Sequence, residues 1–301
     1  MPHIIRAARW LLPGLMLLPP SRARAQQQGY AGSEACAECH KKEVAQFGAT
    51  VMGKILMERP RTAHEKLGCE ACHGPAKQHI ESGGDEPGQL VYFSRKSKTP
   101  VADRNARCLQ CHEKTARLLW KGSQHESRNV ACTDCHSVMH PVTERGNLAK
   151  PTVIATCGNC HKQKVTQLSR FSHMPITDGK LECSSCHNPH GSPNDKLLIA
   201  SSVNQTCYGC HPDKRGPFLY EHAPVVENCA NCHDPHGSNK EKLLKISRPR
   251  LCQQCHPTAH GATTAKPADA ATVRFVYNKG CVNCHLNLHG SNHPAGAFFT
   301  R

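Results

Sequence analysis

The 20 cysteines of this 301-residue chain fall into ten pairs with a single spacing. Every pair reads Cys-x-x-Cys, a histidine follows at once, and no cysteine is left over. Two thiols at this spacing can form thioethers to the vinyl groups of one haem, and the adjacent histidine can then bind the iron as proximal ligand. Zinc sites and thiol oxidoreductases also use Cys-x-x-Cys, but they give no reason for a histidine after every pair. The pattern predicts ten covalent c-type haems.

We number the motifs 1 to 10 in chain order, and each is predicted to supply two thioether cysteines and one proximal iron ligand. They are Cys36, Cys39 and His40; Cys69, Cys72 and His73; Cys108, Cys111 and His112; Cys132, Cys135 and His136; Cys157, Cys160 and His161; Cys183, Cys186 and His187; Cys207, Cys210 and His211; Cys229, Cys232 and His233; Cys252, Cys255 and His256; and Cys281, Cys284 and His285.

Twelve histidines lie outside the ten motifs, and eleven of them follow the predicted signal. These eleven, here called linker histidines, alternate with the motifs along much of the chain. Six-coordinate iron with two histidines would need one for each haem. The last part of the chain is less regular, and there we favour His289 over His293 because His289 shares a His-Gly-Ser sequence with His190 and His236. The predicted distal ligands are His64, His79, His125, His140, His173, His190, His222, His236, His260 and His289, with His293 as the alternative to His289.

Chain length limits which iron each linker histidine can reach. His190 follows His187 by three residues, so the connecting chain spans only about 10 Å. It cannot pass around the edge of a haem to the face opposite His187. His190 should therefore bind the iron of a neighbouring haem. The same reasoning applies to His140, His260 and His289, which follow their motif histidines by four residues.

The chain also repeats at a larger scale. CSSCHNPHGSPNDKLL, beginning at Cys183, returns 46 residues later as CANCHDPHGSNKEKLL. We predict a tandem array of two-haem modules at 26–107 (with a polar insert at 81–98), 108–156, 157–206, 207–251 and 252–301. Residues 1–25 are predicted to be a cleaved export signal, with Arg6 and Arg9 before a short apolar run and an Ala-x-Ala site at Ala23 to Ala25.

The composition argues against a conventional apolar core. Aromatic residues make up 5% of the chain, and the mean hydropathy is −0.55. The predicted fold is a multihaem cytochrome c, with short α-helices and irregular loops around haems, little β-structure and an elongated array of modules. Helices are expected near Lys41 to Phe47 and Thr115 to Trp120, the apoprotein should be largely unfolded, and we expect no transmembrane segment in the mature chain.

The net charge of +15 does not indicate a nucleic-acid partner. Loss of the four signal arginines leaves +11. Ten haems would then add up to about 20 propionate charges, which offset the basic side chains.

These motifs resemble the periplasmic decahaem cytochromes of the MtrA and DmsE type. The resemblance rests on the ten motifs, on GCEACHGPAKQH from Gly68, on RNARCLQCH from Arg104, on the two Cys-His-x-Pro-His-Gly-Ser repeats and on HGSNHP from His289. It covers the chain from Tyr30 onward. It implies a row of bis-histidine haems inside an outer-membrane β-barrel porin, an extracellular multihaem cytochrome or terminal reductase as one partner, and periplasmic or inner-membrane cytochromes as electron donors.

If all ten irons have two histidine ligands, none has an open position for a substrate. In the multihaem nitrite-reductase family one attachment motif ends in lysine, and no Cys-x-x-Cys-Lys occurs here. We therefore expect an electron-transfer protein rather than an enzyme, located in the periplasm and associated with the outer membrane. A soluble periplasmic electron shuttle and a multihaem reductase with one open haem are the alternatives.

Overall fold

The computed structural model of the chain describes residues 29–171, 173, 176, 178–257 and 280–300, so the predicted signal and His260 lie outside the described residues. These residues form two compact units, separated between Val91 and Tyr92. As the sequence predicts, the fold consists of short helices and loops. In the described part of the chain, β-pairing is confined to isolated bridges, and no helix there is long and apolar enough to cross a membrane.

The helices are short because each is interrupted by a motif or by a turn. The α-helices are α1 (Ser33–Cys39), α2 (Lys41–Ala49), α3 (Val51–Gly53), α4 (Glu70–His73), α5 (Lys77–Glu81), α6 (Val101–His112), α7 (Gln124–Ser127), α8 (Cys132–Cys135), α9 (Val153–Gly158), α10 (Lys162–Leu168), α11 (Val203–Tyr208), α12 (Ala223–Glu227) and α13 (Arg250–Gln253). A π-helix spans Lys54–Glu58, and 3-10 helices span Glu65–Leu67, Thr115–Arg117, Cys183–Ser185, Pro212–Lys214, Cys229–Asn231, Glu241–Leu243, Cys281–Asn283 and Gly296–Phe298.

Two helix predictions and one module boundary can be compared with these elements. The helix expected near Lys41 to Phe47 is α2, whereas the one expected near Thr115 to Trp120 is limited to the 3-10 turn Thr115–Arg117. Helix α6 runs through the predicted boundary between residues 107 and 108, and the compact units divide earlier, inside the predicted polar insert. The five-module division remains a prediction.

In the smaller unit, Glu70 joins the two motifs. It lies between the cysteines of motif 2 and is only 2% exposed. Its carboxylate accepts hydrogen bonds from the backbone N–H groups of Ala31, Gly32 and Ala76 at 2.8 to 2.9 Å. Ser33 Oγ accepts a further bond from Cys69 N at 3.0 Å. A buried carboxylate needs such donors, and here they hold the start of motif 1 against motif 2.

In the larger unit, asparagine has the same joining role. Asn105 Oδ1 accepts a hydrogen bond from Cys132 N at 2.9 Å, and Asn204 Oδ1 accepts one from Cys229 N at 2.7 Å. Each asparagine stands three residues before the first cysteine of an odd-numbered motif, as Ser33 does. At motifs 1, 3 and 7, a side-chain oxygen at this position ties the odd-numbered motif to the even-numbered motif that follows it.

Few side chains are buried. The buried apolar residues among those described are Phe47, Ala71, Ala76, Val91, Trp120, Ala131 and Leu197, and no large side chain there is fully buried. Several large apolar side chains are strongly exposed, such as Leu219 at 77% and Phe298 at 75%. A polypeptide with so little buried apolar surface cannot offset the entropy of ordering its backbone.

We therefore predict that the chain without haem is largely unfolded. Replacement of all twenty cysteines by serine prevents covalent attachment with little change in side-chain volume. Far-ultraviolet circular dichroism should show a mainly disordered chain without a cooperative thermal transition, whereas the haem-loaded wild type should show both helix and a transition. A compact, cooperatively melting serine variant would contradict this prediction.

Candidate haem sites

Each motif forms one tight helical turn. The N–H of the motif histidine donates to the carbonyl of the first cysteine, for example at 2.9 Å from His187 to Cys183 and at 3.1 Å from His233 to Cys229. Residues three and four apart lie on the same side of such a turn. The two thiols and the imidazole can therefore face one ligand, as haem attachment requires.

The first cysteines of neighbouring motifs lie in contact. A hydrogen bond from the Cys36 thiol lowers the pKa of the Cys69 thiol to about 6, and the same interaction raises the pKa of Cys36. Each contact joins the two motifs of one predicted module, and none of these cysteines forms a disulfide among the described residues. The five contacts are Cys36 with Cys69, Cys108 with Cys132, Cys157 with Cys183, Cys207 with Cys229 and Cys252 with Cys281.

Seven motif histidines face a linker histidine across a nearly constant gap, with ring centroids 6.0 to 6.4 Å apart. Two imidazoles on opposite sides of one transition-metal ion, each bound through a nitrogen about 2 Å from the metal, have centroids about 6 Å apart. Within the described residues, no group of three or more His, Cys, Asp or Glu side chains could hold a metal ion. The separation within the pairs fits the two axial positions of an iron bound in a porphyrin.

The pairing follows a rule of two motifs. In the larger unit, the linker histidine after an odd-numbered motif faces the motif histidine two motifs later: His125 with His161, His173 with His211, and His222 with His256. The linker histidine after an even-numbered motif faces the motif histidine two motifs earlier: His190 with His136, His236 with His187, and His289 with His233. In the smaller unit, His79 faces His40.

His187 and His190 illustrate the consequence. His187 lies opposite His236, with ring centroids 6.0 Å apart, whereas His190 lies opposite His136 at the same separation. Two histidines three residues apart thus belong to different pairs, as their short connection requires. Iron binding by these pairs remains a prediction.

One imidazole of most pairs is oriented by a backbone carbonyl. In all five even-numbered motifs Nδ1 of the motif histidine is hydrogen-bonded to a carbonyl oxygen: His73 to Val91, His136 to Gly146, His187 to Lys196, His233 to Lys242 and His285 to Phe298, at 2.5 to 3.0 Å. Three linker histidines make the same bond at 2.7 to 3.1 Å: His79 to Glu86, His125 to Pro189 and His222 to Leu288. A proton on Nδ1 leaves the lone pair of Nε2 free for a metal ion.

Burial favours the neutral form of several linker histidines. Burial first, and then the nearby His136 and Arg117, lower the pKa of His190 to about 4. Burial likewise lowers the pKa of His173, His222 and His289. Neutral imidazole is the form that binds a metal ion. The geometry of the pairs, and the lowered pKa of these three linker histidines and of His190, therefore fit haem iron.

Comparison with known proteins agrees with this chemistry. A model described as a doubled CXXCH motif matches residues 173–216 and 222–261, and a model of NrfB-like c-type cytochromes matches residues 69–160. The multiheme cytochrome MtrA of Shewanella baltica is 44% identical over 279 residues, which are 90% of this chain and 81% of that protein. The chain belongs to the MtrA family of multihaem cytochromes. A high-molecular-weight cytochrome c of Nitratidesulfovibrio vulgaris is 26% identical over 138 residues, which are 43% of this chain and 23% of that protein.

Membership of the MtrA family makes the chain a multihaem c-type cytochrome, an electron-transfer protein and not an enzyme. The resemblance seen in the sequence is confirmed. Of the linker histidines that the structure describes, His64, His140 and His293 are not members of the seven pairs given above. His293 differs from His289, because its Nδ1 accepts a hydrogen bond from Ala295 N at 3.1 Å. In that tautomer the proton is on Nε2, which is then unable to bind a metal ion.

Sequence reasoning missed the carbonyl oxygens that orient the motif histidines. After motifs 4, 6 and 8 the chain turns back and pairs with the motif through bridges between His136 and Leu148, His187 and Leu198, and His233 and Leu244. The residue after each accepting carbonyl has a positive φ of 49 to 58°. Both 16-residue repeats end in Lys-Leu-Leu, and these residues form the return turn. This shared ending was the signal in the sequence that could have predicted the turn.

The glycine of each His-Gly-Ser sequence was a second missed element. Gly191 and Gly237 have φ of 123° and 136°, where only glycine is unstrained. A Cβ at either residue would lie 2.0 Å from a backbone carbonyl oxygen, that of Leu119 or Gln167. These glycines let the loop carrying His190 or His236 press against a preceding segment of the chain.

We predict that Gly237→Ala displaces His236 and opens one haem iron. The added methyl group cannot be accommodated at this φ against the Gln167 carbonyl. About one haem in ten should become high-spin in the ferric absorption spectrum and should bind carbon monoxide when reduced. Gly48→Ala is the matched control, since that glycine lies in α2 with open space around it, and its spectrum should equal that of the wild type. A low-spin Gly237→Ala protein that binds no carbon monoxide would contradict the prediction.

Proposed function

We propose that the chain is a decahaem electron conductor in which all ten irons are bound by two histidines. When bound, each haem supplies a one-electron ferric/ferrous couple. The observation that carries the proposal is the set of seven imidazole pairs with a separation of 6.0 to 6.4 Å. The chain's own residues fix the two axial positions of each iron, and they leave none for a substrate.

The remaining ligands complete the count. We assign His64, His140 and His260 to the three irons whose proximal ligands are His73, His112 and His285, as one distal ligand per haem requires. His289 is assigned to the iron of motif 8, because its imidazole lies opposite that of His233. Every motif then has one proximal and one distal histidine, and His293 is not required.

The rule of two motifs also gives the haems a fixed order. The linker histidine after an odd-numbered motif binds an iron further along the chain, and the one after an even-numbered motif binds an iron nearer the N-terminus. Neighbouring modules are therefore connected by iron ligands in both directions. The contacts between first cysteines join the two haems inside each module. Haems held in this way lie close enough for electrons to pass along the row.

We infer that this row works in the periplasm, inserted in an outer-membrane β-barrel porin. There it would carry electrons between periplasmic or inner-membrane donor cytochromes and an extracellular multihaem cytochrome or terminal reductase. The support is the match to the MtrA family, which extends over 90% of the chain. The export signal predicted at residues 1–25 agrees with this location.

Substitution of a linker histidine tests the ligand assignment. His190→Ala should leave ten haems attached and open one iron, so that the reduced protein binds one carbon monoxide per chain. His293→Ala is the matched control and should bind none. Carbon monoxide binding by His293→Ala, or none by His190→Ala, would refute the assignment.

A second variant identifies which iron His190 serves. The ring pairing places His190 opposite His136 of motif 4. If Cys132 and Cys135 are also replaced by alanine, the chain should carry nine haems and lose the carbon monoxide site. Persistence of that site in the nine-haem protein would place His190 on another iron, such as that of motif 6.

The porin proposal is tested in the native outer membrane. Affinity-tagged chain should be extracted by detergent together with a β-barrel protein, and the barrel should protect it from added protease. Recovery of the intact chain alone, from the soluble periplasmic fraction, would instead identify a diffusible electron shuttle.

A further inference from the structure

Arg104 is a buried cation to which the described residues offer no anionic partner. It lies in α6, one helical turn before Cys108, and is 6% exposed. Nη1 donates to the carbonyl oxygen of Ser94 at 3.1 Å, while Nε is buried and has no hydrogen-bond partner. In the part of the chain that the structure describes, Arg104 forms no salt bridge with any carboxylate.

A buried guanidinium with an unsatisfied donor requires an anionic partner. Burial of a charge is strongly unfavourable unless a partner of opposite charge also satisfies its hydrogen bonds. The planar fork of arginine matches a carboxylate or a phosphate, to which it can donate two parallel bonds. The carbonyl of Ser94 meets only part of this requirement, since it carries no charge.

The surroundings of Arg104 connect motif 3 with motif 4. The next residue, Asn105, donates to the carbonyl of Val130 at 3.0 Å and accepts from Cys132 N. On the other side, Thr133 Oγ1 donates to the carbonyl of Phe93 at 3.2 Å. The guanidinium therefore lies where helix α6, the 93–95 segment and the start of motif 4 come together.

Asp134, an acidic side chain of this region, is already engaged. Asp134 Oδ1 pairs with Arg95 Nε at 2.9 Å, and Oδ2 accepts from Ala131 N at 2.9 Å. Haem binding at motifs 3 and 4 would add four propionate carboxylates to this region. These are the anions that the proposed function itself brings there.

We propose that Arg104 is an anion-binding residue whose ligand is a propionate carboxylate of the haem pair of motifs 3 and 4. The inference rests on haem binding at these motifs. The guanidinium offsets the propionate charge and keeps the carboxylate ionised. It therefore favours the reduced state of that haem and suppresses proton uptake linked to reduction.

Arg104→Gln removes the charge and keeps a hydrogen-bonding side chain. All ten haems should remain attached and low-spin. About one tenth of the optical redox titration should move to more negative potential at pH 8, and this component should become more pH-dependent between pH 6 and pH 8. The propionate bending mode in the resonance Raman spectrum should shift. Arg145→Gln, at an exposed turn residue, is the matched control and should leave all three measurements unchanged.

Arg104→Lys provides the second variant. It keeps the charge without the bidentate fork, so the Raman mode should shift while the redox titration stays close to that of the wild type. If Arg104→Gln fails to mature, the Raman mode of Arg104→Lys decides, and an unchanged mode refutes the proposal. A fully haem-loaded Arg104→Gln with the titration and Raman spectrum of the wild type would also overturn it.

The anion could instead be free in solution. In that case the wild-type redox titration would respond to added phosphate and Arg104→Gln would not, and the Raman propionate mode would be the same in both; this result also overturns the proposal. Haem count and low-spin spectra are measured on the same samples. Failure of the Arg104 proposal is therefore distinguishable from failure of the bis-histidine conductor.

Discussion

A histidine three or four residues after a haem-attachment motif cannot reach the far side of the haem that the motif holds. This limit on chain length determines which motif each such histidine can face. It forces His190, His236 and His289 towards other motifs, and the structure places each opposite a motif histidine two motifs earlier. Pairing of imidazoles from motifs two apart is therefore a main tertiary contact in this chain. A packed apolar interior contributes little, because no large side chain among the described residues is fully buried.

The local sequence around each exchanged histidine serves the same purpose. Asn188 and Asp234 each cap the backbone N–H two residues later, at 3.1 Å, which turns the chain immediately before the imidazole. Gly191 and Gly237 then allow the backbone to press against an earlier segment, where a Cβ would collide with a carbonyl oxygen. The return turn at Leu197 or Leu243 brings a carbonyl to the motif histidine. The 16-residue repeat is thus one unit that orients two imidazoles of different pairs.

Haem attachment could be predicted from the sequence because it depends on cysteines and a histidine at a short, fixed spacing. The sequence also predicted the fold class, since low aromatic content excludes a conventional core. The partner of each linker histidine could not be predicted, because pairing across two motifs depends on contacts between segments 34 to 56 residues apart. Glu70 and Arg104 escaped sequence reasoning for a similar reason. Only the structure shows that these two charged residues are buried.

The imidazole pairs share a feature that bears on electron flow. In six of the seven, one imidazole has its Nδ1 bonded to a backbone carbonyl: the motif histidine in even-numbered motifs, and the linker histidine in the pairs of His79, His125 and His222. In the seventh pair, Nδ1 of His173 is buried and has no hydrogen-bond partner among the described residues. Such a bond makes the imidazole a stronger donor to a metal and favours the oxidised state. Axial ligands so alike would give the irons of these six pairs similar intrinsic potentials. Differences along the row would then arise from charges at the haem edges, where a buried cation such as Arg104 has its effect.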